Sequence, residues 1–108
     1  TANSGVKGEG RTDRKEARRK RAAARETTAA LRESVRASED RIEALNNRKI
    51  LLEAKLALPE TYEGATSDLL ALAEGLSNIR KEMKKEESRW LTAEEQLAAA
   101  SASSGDEH

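Results

Sequence analysis

Two stripes of mostly apolar residues, each recurring at alternating steps of three and four, flank the only proline of the chain. Before Pro59 the stripe runs Leu31, Val35, Ser38, Ile42, Leu45, Lys49, Leu52 and Leu56. After it come Leu69, Leu72, Leu76, Ile79, Met83, Glu86, Trp90, Ala93 and Leu97. A seven-residue repeat on a 3.6-residue helix requires a partner helix and a left-handed supercoil. Two such stripes joined by a short connector meet that requirement within one molecule, as antiparallel neighbours. The predicted fold is all-α, a two-helix antiparallel coiled-coil hairpin.

Glycine and proline set its boundaries. Residues 1–12 hold three of the six glycines beside Asn3 and Ser4 and show no apolar period, so residues 1–13 read as a flexible lead-in. The hairpin is placed at 14–100, with a helix over about 14–58, a tip at 59–66 and a helix over about 67–100. Ser67 or Thr66 is the expected N-cap of the second helix, with Asp68 in its first turn. Gly75 interrupts that helix at a cost of ~1 kcal/mol relative to alanine. The Ser/Gly-rich tail 101–108, ending in His108, is expected to be disordered.

Folding about the tip pairs positions whose numbers sum to 124 or 125. In that register Glu86 falls opposite Ser38, so the polar exceptions of the two stripes share a layer. Such a layer fixes register at some cost in stability. Lys49 falls opposite Leu76 and is expected to extend its ammonium outward. Trp90 falls opposite Val35 and is the largest anchor, with ~2–3 kcal/mol expected from its burial.

Composition removes most other classes. Of 108 residues, 37% are charged, only Tyr62 and Trp90 are aromatic, and cysteine is absent. That mixture suits long helices better than a globule with a thick core. No disulfide framework or thiolate metal site is available. No apolar run approaches the ~18 residues that a membrane span needs, and no signal peptide is apparent, so a cytoplasmic location is expected. The chain starts at Thr1 and its sole methionine is Met83, which reads as a piece of a longer protein.

Catalytic motifs are weak. Gly5-Val-Lys-Gly-Glu-Gly-Arg-Thr12 approximates a phosphate-binding loop with Arg11 in the lysine position, but such a loop needs a preceding strand, and no strand pattern exists. One histidine and no cysteine give neither a nucleophile–base pair nor a zinc set. Within Glu86-Glu87 and Glu94-Glu95, neighbouring side chains point about 100° apart and do not converge on a substrate. Both pairs read as solvated faces. The expectation is a non-enzymatic segment with no cofactor and no small-molecule substrate.

Charge is balanced overall, 20 against 20, but not along the chain: +5 over residues 1–30, +1 over 31–58 and −6 over 59–108. The positive end contains Arg11, Arg14, Lys15, Arg18, Arg19, Lys20, Arg21 and Arg25. Arg14, Arg18, Arg21 and Arg25 recur at 4-3-4 and line one helical face, the arrangement that tracks a phosphate backbone without reading sequence. Arg14, Lys15, Arg18, Arg19, Arg21 and Arg25 are the candidate nucleic-acid-binding residues. Arg80, Lys81, Lys84 and Lys85 form a secondary cluster, placed by the register near Asp40 and Arg41. No aromatic residue interleaves with either, so stacking on unpaired bases is not indicated.

The run Arg18-Arg-Lys-Arg-Ala-Ala-Ala-Arg25, then Leu31-Arg-Glu-Ser, Ile42-Glu-Ala-Leu45, the tip Leu56-Ala-Leu-Pro-Glu-Thr-Tyr62-Glu and the closing Glu86-Glu-Ser-Arg-Trp90-Leu together resemble the C-terminal coiled-coil extension of ABC-F ATPases, in particular the Uup/YheS-type branch. The resemblance covers about residues 14–98. It departs at Leu58-Pro59, where the family usually has an acidic residue before proline, and at Ala30-Leu31, which replaces a frequent Pro-Leu. It implies a non-catalytic appendage to a pair of ATP-binding cassettes, which would hold the ATP and magnesium, in a protein of ribosome, translation or nucleic-acid transactions. The partner so implied is ribosomal RNA, tRNA or DNA. The alternatives are a protein–protein or spacer arm, and the tRNA-contacting coiled-coil arm of an aminoacyl-tRNA synthetase. The hairpin is expected to be monomeric.

Overall fold

The computed structural model describes residues 2–105, with side chains for residues 10–102. Two long helices, α1 (Ala2–Ala57) and α3 (Thr66–Gly105), are joined by the short α2 (Pro59–Glu63). Among the described residues there is no strand. The molecule is a rod measuring 92 × 22 × 14 Å. Ser38 of α1 bonds Glu86 of α3, while Leu52 lies within 3.5 Å of where a side chain on Gly75 would begin. Residue numbers therefore rise along one helix as they fall along the other.

The two stripes are the core. Every position in both is buried or half-buried, with Val35, Leu76, Ile79 and Ala93 the most enclosed apolar residues. The large apolar residues outside the stripes, Ile50, Leu51, Leu58, Leu70 and Leu91, are all more than half exposed. Heptad position, rather than hydrophobicity alone, decides burial in a structure one helix thick on each side. The seam also continues one step below Leu31. Thr28 is buried there and donates its hydroxyl to the carbonyl of Ala24 at 2.9 Å, which satisfies a polar group that the interface covers.

Boundaries differ from the sequence expectation at four places. The lead-in 1–13 is helical from Ala2 onward: a helix nucleated in the stem extends by one hydrogen bond per residue fixed, and it carries Gly5, Gly8 and Gly10 despite ~1 kcal/mol each. The phosphate-loop-like segment thus lies within a helix. The expected tail 101–108 is helical through Gly105, and residues 106–108, with His108, lie outside the described residues. The tip is itself helical over Pro59–Glu63, with proline at the first turn, where its missing N–H costs nothing. Leu58 before it is extended, at φ −78° and ψ 130°, as the proline ring requires. Finally, Thr66 opens α3, so the role expected of Thr66 or Ser67 falls to Ala65. Its carbonyl accepts from the N–H groups of Asp68 and Leu69 at 3.1 and 3.3 Å.

The tip closes the end of α1 with side chains. The last carbonyls of a helix lack intrahelical donors. Here the Thr61 hydroxyl donates to Lys55, the Tyr62 hydroxyl donates to Leu56 at 2.7 Å, and the Leu58 N–H donates to Lys55 at 3.2 Å. Tyr62 is therefore a cap for α1 and not a core residue. Replacing it with phenylalanine removes one hydrogen bond and is expected to cost ~1 kcal/mol, measured as a drop in thermal midpoint.

Gly75 gives the opposite prediction. A methyl group there would meet Leu52 Cδ1 at 3.5 Å, ordinary van der Waals contact, and no backbone blocks it. Gly75→Ala should stabilise the hairpin by up to ~1 kcal/mol through reduced backbone entropy in the unfolded chain. A lower melting temperature in that variant would show that the helices pack closer at this layer than described.

Candidate nucleic-acid interface

Arg11, Arg14, Lys15, Arg18, Arg19, Lys20, Arg21 and Arg25 all lie on α1 and all are exposed. Extending the Ser38–Glu86 register puts Gly105, the last residue of α3, opposite residue 19. Residues of α1 before 19 therefore lie beyond the described end of α3 in this register. At 100° per residue, Arg11, Arg14, Lys15, Arg18, Arg21 and Arg25 fall within about 120° of arc, whereas Asp13 and Glu16 fall on the opposite side. Arg19 and Lys20 lie off this face.

The same face continues into the stem. Arg32 and Arg36, both exposed, occupy the same arc about two and three turns beyond Arg25. The cationic stripe thus runs from Arg11 to Arg36, about 38 Å at 1.5 Å per residue. The alternating spacing of arginines ends at Arg25, since the next position in the pattern is Thr28. Helical phase nevertheless keeps Arg32 and Arg36 on the same face.

Arg80, Lys81, Lys84 and Lys85 are exposed but are spread over about 140° of α3. Of the four, Lys85 alone lines a groove with Arg41, Glu82 and Arg89. The placement of this cluster beside Arg41 is right for one residue.

The polar layer lies between these regions. Ser38 donates to Glu86 Oε1 at 2.9 Å, Arg41 Nε donates to the same oxygen at 2.8 Å, and Arg89 Nη1 reaches Glu86 Oε2 at 3.2 Å. Glu86 is 4% exposed, which corrects the reading of Glu86-Glu87 as a solvated face: Glu87 is exposed and Glu86 is inside. Burial alone would push the Glu86 pKa up. The hydrogen bonds from Arg41 and Ser38, with the charges of Arg41 and Arg89, outweigh it and hold the carboxyl below its ordinary value. The pairing of Ser38 with Glu86 follows from the stripes. The two arginines that neutralise the layer do not, since both lie outside the heptad seam.

Two further expectations concern single side chains. Lys49 is half-buried on the seam with its ammonium 3.9 Å from Glu53 Oε1, as outward extension requires. Trp90 is half-buried on the seam, as expected of a core residue, and borders a groove with Glu39, Ile42, Glu43 and Asn46. Its indole Nε1 is buried and has no hydrogen-bond partner.

Among the described residues no group of three or more His, Cys, Asp or Glu side chains comes together as a metal site, and no helix is long and apolar enough to cross a membrane. No protein-family model, no curated protein and no solved structure matches this chain.

Proposed function

We propose that this chain is a non-catalytic arm, an antiparallel coiled-coil hairpin that contacts a nucleic-acid backbone through the cationic face at its root. The observation that carries the reading is the alignment of Arg11, Arg14, Lys15, Arg18, Arg21, Arg25, Arg32 and Arg36 on one exposed face of α1. A straight row of guanidinium and ammonium groups beside few carboxylates matches a row of phosphates in charge and in linear form. Resemblance to the C-terminal extension of ABC-F ATPases adds a context for such an arm. In that context ATP and magnesium belong to the cassettes of the parent protein, and the partner is ribosomal RNA, tRNA or DNA in the cytoplasm.

Fluorescence anisotropy with a labelled RNA or DNA duplex tests the reading. With about four phosphates neutralised, log K should fall against log salt with a slope of about −3.6, roughly a hundredfold loss between 50 and 200 mM salt. No measurable affinity at about 50 mM salt would favour a spacer or protein-docking arm instead. Sedimentation should give the mass of one chain; a dimer would contradict pairing within a single molecule.

A further inference from the structure

The side of the stem nearly opposite the cationic stripe holds an open groove of about 510 Å³ between α1 and α3. Ser34, Arg41, Ser88, Arg89 and Thr92 line it, over an apolar floor that includes Ala37 and Ala93. Its existence is a consequence of sequence. Alanine and serine stand where larger residues would have closed the space between the helices.

The charge on its wall is the informative part. One buried carboxylate, Glu86, holds two guanidinium groups from different helices. Each arginine gives it a single N–H, Nε from Arg41 and Nη1 from Arg89. A guanidinium has five N–H donors in a rigid fork, so each retains four. No second carboxylate lies within ion-pair distance of either group among the described residues. The layer therefore carries one excess positive charge with both forks positioned before any ligand arrives. Ser34, Ser88 and Thr92 line the same groove.

We infer that this groove is an anion site for a phosphate group, gripped by Arg41 and Arg89 together, with Glu86 as the residue that positions them. Guanidinium forks match phosphate oxygens in geometry as well as charge. The carboxylate removes part of the ordering cost that two free arginines would carry. The phosphate is either a phosphodiester of a nucleic-acid strand or free inorganic phosphate. The site lies apart from the root and does not depend on the function proposed above.

The test is nuclear magnetic resonance on the full chain, titrated with inorganic phosphate and, in parallel, with sodium chloride at matched ionic strength. Phosphate should give saturable shifts at the Nε–H signals of Arg41 and Arg89 and at the backbone N–H of Ser88. Ser88→Glu, which adds a carboxylate to the groove at an exposed position, should weaken phosphate binding roughly tenfold or more. Thr92→Glu, likewise exposed, serves as a second variant, and circular dichroism melts verify that both remain folded. A short thymidine oligonucleotide, added to the chain carrying Arg14→Glu, Arg18→Glu, Arg21→Glu and Arg25→Glu, separates the two sources. Saturable shifts at the same arginines identify the strand backbone; shifts with inorganic phosphate alone identify the free ion. Phosphate shifts no larger than those of chloride, or shifts untouched by both groove variants, would overturn the site.

Discussion

Changing Arg14, Arg18, Arg21 and Arg25 to glutamate should abolish nucleic-acid binding while leaving the hairpin folded. Over residues 11–25 the wild-type chain has eight cations and two carboxylates; the variant has four cations and six carboxylates. Losing four phosphate contacts and adding four repulsive charges should lower affinity by more than ~10³ at 50 mM salt. All four side chains are exposed, and Arg14 and Arg18 lie beyond the last residue of α3 in the Ser38–Glu86 register, so folding stability should change by no more than ~0.5 kcal/mol. Duplex binding and thermal melting of the same sample separate the two effects. A variant that binds as tightly as wild type removes the root from the interface, whatever the arm does. Changing Arg32 and Arg36 alone should produce a smaller loss of the same kind, because they extend the stripe without containing its densest part.

The second large effect concerns Glu86. Replacing both Arg41 and Arg89 with glutamine leaves a carboxylate that is 4% exposed with Ser38 as its remaining hydrogen-bond donor. Breaking a buried pair by removing its partners is costly because the surviving charge stays desolvated. Here the Arg41 and Arg89 side chains are 56% and 68% exposed and the rod is only 14 Å across its thin direction. Water screens the layer, and a loss of about 1–3 kcal/mol at neutral pH is expected.

The pH dependence should differ in sign between the two proteins. In the wild type the folded chain holds Glu86 below its ordinary value of 4.5. Its ion pairs therefore contribute fully above that pH, and the contribution drains away as acid protonates the carboxylate toward the folded-state pKa. In the double variant desolvation is no longer outweighed, so the folded-state pKa should move above the unfolded value. Mild acid should then stabilise the variant relative to pH 7, as the buried carboxyl becomes neutral. Chemical denaturation at pH 7 and near pH 5 reads this directly. If both proteins respond to acid alike, the arginines do not govern the charge state of the layer.

Much of this protein is legible because its core is one-dimensional. Whether Leu52 or Leu51 is inside follows from heptad phase alone, since each helix has one neighbour and one face to cover. The same phase put Glu86 against Ser38. It also put arginines on one face of the root, a face that Arg32 and Arg36 share by helical angle although Thr28 interrupts the spacing between them and Arg25. Pro59 marked the reversal but not its form: the short helix at the tip and the capping hydroxyls of Thr61 and Tyr62 depend on which carbonyls the end of α1 leaves open.

What the amino-acid order determined by itself was the pair of helices, the seam between them and the segregation of positive charge to one end, because each of these is a sum over local positions. What only the tertiary structure decided was the company of long side chains. Arg41 and Arg89 reach Glu86 from outside the seam. Their heads lie several rotatable bonds from the backbone, and periodicity governs only where a side chain begins.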